Sequence, residues 1–221
     1  MWRSLRRAAA LCFTARLAVY TIDAFVPASR TGVSGRAARF SARRAEVSGA
    51  LPNLPKYVEI TEEALLAAAV VQGKPEDVKT LLESGAPLEA IAAKGRTALA
   101  CAAVANDVES TRLLLDGGAL MEALDDSGRT PLALAASYGN ADVTQVLVDA
   151  GAKVNARDKG QMTPLLWAAV NGNEDVVRSL VASGADIEAA DDDGMTAMKL
   201  AGVFKRTGVQ KCLAEASQKR A

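Results

Sequence analysis

The stretch "DDSGRTPLALAASYGNADVTQVLVDAGAKVNARDKGQMTPLLWAAVNGN", residues 125–173, states nearly the same phrase twice. Gly128-Arg129-Thr130-Pro131-Leu132 is answered by Gln161-Met162-Thr163-Pro164-Leu165. Working outward, Thr97, Thr130, Thr163 and Thr196 stand 33 residues apart, with Ala64 one period earlier. The same spacing links Leu66, Leu99, Leu132, Leu165 and Met198, and also Leu81, Leu114, Leu147, Leu180 and Leu213. Gly85, Gly118, Gly151 and Gly184 keep that register too. A fixed period of this length is the signature of a repeat array, in which each unit is one supersecondary element that must stack to bury its apolar face.

One unit can be read from its residues. In "TPLALAASYG" proline falls in the first helical turn, where its missing N–H costs nothing. Leu132, Ala135 and Ala136 share one helical face, and the small alanines admit a close neighbour. Gly139 ends this helix. Asn140 is placed to cap a second helix, with Asp107 and Asn173 as its equivalents, and Asp142 lies in that helix's first turn, where the dipole favours an acid. Val143, Val146, Leu147 and Val148 give the second helix its apolar side, Gly151 stops it, and an extended stretch leads to a turn at Asp158.

This unit resembles the ankyrin repeat, on the residues "TPLALAA", "GN.DV", "GA.VNA" and "D..G.T". The resemblance implies an all-α solenoid of stacked helix-turn-helix units with short β-turn or hairpin tips. It covers nearly all of residues 60–216, with units near 60–92, 93–125, 126–158, 159–191 and 192–216, and a polar tail at 217–221. There are departures. The histidine of the family's T-P-L-H tetrapeptide is replaced by Ala100, Ala133, Leu166 and Lys199. Gln161 stands in the turn-glycine slot, and Lys205 and Gly208 alter the last unit. Terminal units of a solenoid are expected to be atypical, because one face meets water. Thr61, with Ile60 and Leu65 around it, reads as the cap of the first helix.

The formal charge of zero hides a division. Residues 1–50 hold nine Arg, no Lys and two acids, for +7, whereas residues 51–221 hold 17 basic and 24 acidic side chains, for −7. A basic, serine-containing and acid-poor start reads as a targeting leader. Asp23-Ala24-Phe25-Val26-Pro27 resembles the Ala-Phe junction in leaders of complex plastids, which points to a plastid. Arg39-Phe40-Ser41 resembles a matrix-processing site, so a mitochondrion is the alternative. If the leader is not processed, a cytoplasmic location is expected. Residues 51–59 read as a linker.

The rest of the chemistry is sparse. Histidine is absent from the chain, which removes the commonest general base and metal ligand. Cys12, Cys101 and Cys212 have neither metal nor redox spacing. Asp191-Asp192-Asp193-Gly194 lacks the first and twelfth ligands of a calcium loop and reads as a repeat-boundary turn. Trp167 shares a slot with Cys101 and Leu134 and reads as core. The array is net acidic, without a basic stripe interleaved with aromatics, so nucleic acid is not the expected partner. No cofactor, metal, catalytic residue or membrane span is expected in the mature chain. The ankyrin resemblance implies instead that another protein binds the concave face. By position that face takes Lys94, Arg96, Asp126, Arg129, Lys159, Met162, Asp192, Asp193 and Met195 from the tips, with Tyr138, Asn171 and Phe204 from the first helices. The tips run from basic at Lys94 to acidic at Asp192 and Asp193, which suits a partner with a basic segment. The expected function is a non-catalytic adaptor, chaperone or assembly factor, monomeric when free. The alternative is a permanently bound accessory subunit of an organellar membrane complex.

Overall fold

In a computed structural model, the described residues are Arg44–Glu46, Tyr57–Glu59 and Glu62–Arg220. The plastid and mitochondrial sequence features, and the Thr61 cap, lie outside them. The chain divides into two units, Met1–Ile60 and Thr61–Ala221. In the first, β1 (Arg44–Glu46) and β2 (Tyr57–Glu59) pair antiparallel, Arg44 opposite Glu59.

The second unit is an all-α repeat solenoid. Its ten helices alternate between two layers. The first layer is α1 (Glu62–Val71), α3 (Ala98–Ala105), α5 (Pro131–Tyr138), α7 (Pro164–Asn171) and α9 (Ala197–Val203). The second is α2 (Pro75–Glu83), α4 (Val108–Asp116), α6 (Ala141–Asp149), α8 (Glu174–Ala182) and α10 (Thr207–Arg220). The last helix therefore runs through most of the stretch expected to be a polar tail. First-layer helices pack against one another more extensively than second-layer helices do. Their alanines allow this: Ala102, Ala103, Ala135, Ala136, Ala168 and Ala169 are all fully buried. This first-helix face is the one that the ankyrin resemblance implies to be concave.

The repeated threonines cap the first helices. Thr97, Thr130 and Thr163 accept from the backbone N–H groups of Ala100, Ala133 and Leu166 at 3.4, 3.2 and 3.3 Å. Thr196, in the terminal unit, makes no such bond.

The expected caps of the second helices need correction. Asp107 does cap α4, its Oδ1 accepting from Ser110 N at 2.9 Å. Asn140 and Asn173 do not cap α6 and α8. Each reaches back into the preceding unit instead. Asn140 Nδ2 donates to the carbonyls of Ala103 and Val104 at 2.7 and 3.1 Å, and Asn173 Nδ2 to those of Ala136 and Ser137 at 2.8 and 3.3 Å. Arg206 holds the same register one period later, and its Nε donates to Val170 O at 3.0 Å. These first-helix C-terminal carbonyls are orphaned by helix geometry, and the next unit satisfies them. Space is tight beneath two of these donors, whereas Asn106, beneath Asn140, carries a side chain at a φ of 58°. A Cβ on Gly139 would stand 2.9 Å from Asn173 Oδ1, and one on Gly172 would stand 2.8 Å from Arg206 Cδ. Lys205, whose slot supports no following unit, adopts the same positive φ of 56°.

A second ladder ties the units elsewhere. Glu89 Oε1 accepts from Leu120 N at 2.7 Å, Glu122 Oε1 from Lys153 N at 2.8 Å, and Asn155 Oδ1 from Asp186 N at 2.8 Å. Neighbouring units thus share polar bonds as well as the leucine core, in keeping with the nearest-neighbour stability of solenoids.

Candidate interaction surface

The tips are built on aspartates, buried at Asp125 and Asp158 and half-buried at Asp191. Asp125 Oδ1 accepts from the backbone N–H groups of Ser127 and Arg129, each at 2.9 Å, which closes the turn. Asp158 does the same with Gly160 and Met162, and Asp191 with Asp193 and Met195. The triple-aspartate stretch is a turn, as expected from its sequence. Among the described residues no group of acids, cysteines or histidines could hold a metal ion.

The first tip differs, because Ala92 occupies the aspartate slot. Arg129 Nε and Nη2 donate to Asp125 Oδ2 at 3.0 and 2.8 Å, and Arg96 Nε stands 4.0 Å from that oxygen, beyond hydrogen-bond reach. Burial pushes the Asp125 carboxyl up, but its bonds to Arg129 and Ser127 outweigh this and hold it below the ordinary aspartate value. Arg129 therefore holds the scaffold as well as facing the surface. Lys159 is similarly engaged, its Nζ donating to Asp126 O at 2.7 Å.

The remaining residues assigned to the surface divide by exposure. Lys94, Asp126, Lys159, Asn171, Asp192 and Asp193 are exposed, and Met162 and Met195 are half-buried. Asn171 Nδ2 donates to Trp167 O at 3.0 Å and to Ser137 Oγ at 3.3 Å. Tyr138 and Phe204 are exposed at 44% and 40%, high for aromatic side chains, and Val203 beside Phe204 is exposed at 64%.

Three contributors were not read from the sequence. Ile91 and Leu124 share a register one unit apart, immediately before the tip aspartate slot, and are 70% and 59% exposed. Two large aliphatic side chains at equivalent boundary positions were the available signal. Trp167 is the third. It is only half-buried: its ring outgrows the core slot that Cys101 and Leu134 fill. Its Nε1 donates to Asp158 Oδ2 at 2.9 Å, and the Arg129 guanidinium lies 5.7 Å from the ring centroid. With Ser127, Lys159 and Met162 these residues line a cleft of about 470 Å³ between adjacent tips.

Cys101 is buried, and burial pushes its thiol above the ordinary range, so it is a poor nucleophile. No helix among the described residues is long and apolar enough to cross a membrane.

Comparison with known families agrees with this geometry. A family model described as ankyrin repeats (3 copies) matches residues 65–158, and one described as ankyrin repeats (many copies) matches residues 165–201. The chain belongs to the ankyrin-repeat family, whose arrays generally mediate protein–protein interaction. No curated protein matches the chain.

Proposed function

We propose that the array is a non-catalytic binding module that takes another protein on its concave first-helix face and acts as an adaptor, chaperone or assembly factor. The observation that carries this reading is the exposure of Tyr138, Val203 and Phe204 at the ends of first helices, with Ile91 and Leu124 exposed just before the tips, on a scaffold whose repeated leucines are largely closed from water. Large apolar side chains held on rigid elements are the usual anchors of an interface. Asp192 and Asp193 beside Phe204's end of the array favour a partner whose contacting segment is basic. The free module is proposed to be monomeric. The basic, acid-poor leader supports an organelle, with a plastid as the address and a mitochondrion as the alternative.

The test is purification of the full chain, tagged at its C-terminus, from its own cells. The mature N-terminus and the co-purifying proteins are identified by mass spectrometry. The expected result is a new N-terminus between Phe25 and Gly49 and a partner that is lost from the Tyr138→Ala, Phe204→Ala double variant. A partner retained by that variant would remove the concave-face reading, and an intact Met1 would remove the organelle. Co-sedimentation with one large complex under all conditions would mark a fixed subunit instead of a free adaptor.

A further inference from the structure

At three successive unit boundaries this chain supplies its own donor to the carbonyls that end a first-layer helix: Asn140, Asn173 and Arg206. At the first boundary it does not. Asp107 holds the register of those donors, and a carboxylate can only accept. Both its oxygens turn into α4, Oδ1 toward Ser110 N at 2.9 Å and Oδ2 toward the Ser110 hydroxyl at 2.6 Å. The carbonyls equivalent to those of Ala103 and Val104 are the carbonyls of Val70 and Val71. Among the described residues no side chain donates to either; Val70 O accepts from the backbone N–H of Gly73 at 3.0 Å, which leaves Val71 O as the open acceptor. Position 75, four residues beyond Val71, is proline and brings no N–H.

A cleft of about 510 Å³ opens at this boundary. Val71, Pro75, Ala105 and Val108 give it apolar walls, Gln72 and Asn106 bring amides, and Asp107 and Glu109 add two acids. The C-terminal end of α1 also points its partial negative charge there. Carbonyls, carboxylates and a helix C-terminus in one apolar-walled notch call for a cation with several donors and an aliphatic stem.

We propose that this notch receives the guanidinium of an arginine carried by a partner protein. Arginine fits better than lysine because its planar fork can donate to a carbonyl and a carboxylate at once, while its methylenes lie along Val71, Pro75 and Val108. The chain itself shows the reach, since Arg206 places Nε 3.0 Å from the carbonyl of Val170 in the corresponding notch of the last boundary. The net charge of −7 over residues 51–221 favours the approach of a basic segment. This inference rests on the reading of the array as a protein-binding module, but its test does not need the partner.

The probe is N-acetyl-arginine N-methylamide, titrated into the ¹⁵N-labelled full chain and followed by amide chemical shifts. Saturable shifts are expected at Gly73, Asn106 and Val108, with a dissociation constant on the order of a few millimolar, the scale of one charged side-chain contact. The neutral citrulline analogue is expected to bind ~10-fold more weakly, because it lacks the charge that strengthens each bond. In Asp107→Asn the new amide takes the carbonyls of Val70 and Val71 as Asn140 takes those of Ala103 and Val104, so the arginine probe loses its site while amide shifts elsewhere stay unchanged. Absence of saturable shifts, equal binding of the citrulline analogue, or undiminished binding to Asp107→Asn would each overturn the proposal. None of those results bears on the concave face. Retention of a partner by the Tyr138→Ala, Phe204→Ala variant would equally leave the notch untouched.

Discussion

Asn173 crosses a unit boundary to donate its amide to the carbonyl of Ala136 at 2.8 Å, and Asn140 repeats the bond to Ala103 one period earlier. The bond joins the start of one unit's second helix to the end of the previous unit's first helix. It couples neighbours that the leucine core also holds. Replacing Asn173 with alanine removes the side-chain donor from the carbonyls of Ala136 and Ser137, Ala136 keeping only the long bond from Gly139 N at 3.4 Å, and a loss of about 1–2 kcal/mol is expected. Asn140→Ala is expected to cost a similar amount. Urea unfolding measures both, and a sum for the double variant close to the two single losses would show that the boundaries act independently.

Gln161 occupies a turn slot that glycine fills at Gly95, Gly128 and Gly194, and it adopts the same left-handed conformation, with φ of 57°. A side chain with a Cβ is strained there, by ~1 kcal/mol. Gln161→Gly is therefore expected to stabilise the array, by about 0.5–1 kcal/mol once the greater freedom of the unfolded glycine is set against the relief. Gly139→Ala runs the other way, since its φ is +80° and the added methyl meets Asn173 Oδ1 at 2.9 Å. A thermal scan of the two variants should move the midpoint in opposite directions.

The period made the fold legible. Threonine, leucine and glycine recur because every unit solves the same packing problem, and one solution repeated is easier to see than one solution alone. The second-helix caps were harder. The residue after the helix-ending glycine sits where a cap would sit and also where an inter-unit donor would sit. Asp107 takes the first role and Asn140 the second, and only the bond to an acceptor 37 positions away distinguishes them. The site was legible as a face and less so as contacts. Arg129, assigned to the surface, also bonds Asp125 through Nε and Nη2, whereas Arg96 Nε stands 4.0 Å from the same carboxylate. Trp167 was read as core because its slot is apolar in other units, whereas its size carries it out to the tips. Ile91 and Leu124 precede the turn and belong to neither helix, so periodicity gave them no role.

Asp125 makes the array sensitive to acid. Its carboxyl is held below the ordinary aspartate value of 3.8 in the folded chain. A depressed folded pKa contributes stability that is complete above the unfolded value and is lost as pH falls through the folded one. The thermal midpoint should therefore fall as pH drops below that ordinary value. Asp125→Asn keeps the acceptor oxygen but not the charge facing Arg129. It is expected to cost about 1–3 kcal/mol at neutral pH, the scale of hydrogen bonds to a charged group, and to flatten the acid limb. An equally steep limb in the variant would shift the effect to other carboxyls.

Trp167 couples the tip of its unit to the surface. Phenylalanine in its place would keep much of the packing but leave Asp158 Oδ2 without the indole donor at 2.9 Å. Trp167→Phe is expected to lose about 1 kcal/mol of stability. The residue also reports on the cleft it lines, since Trp2 is the only other tryptophan of the chain. A partner that covers the concave face should shift the emission of the wild type toward the blue, and Trp167→Phe should abolish that shift.

The charges at the last tip govern approach more than hold. Asp192 and Asp193 are exposed, and their carboxylates stand at the edge of the surface that carries Phe204 and Met195. Exposed charges at a rim are screened and contribute little to the final complex, but they bias the encounter over about a Debye length, ~8 Å at physiological salt. With a basic partner segment, Asp192→Lys with Asp193→Lys should reduce the association rate by roughly 10-fold at low salt and leave the dissociation rate nearly unchanged. The difference from wild type should shrink as salt is added. Stopped-flow mixing of the purified partner with each form measures this directly. An association rate that ignores both the substitutions and the salt would mean that the partner meets the array through its apolar residues alone.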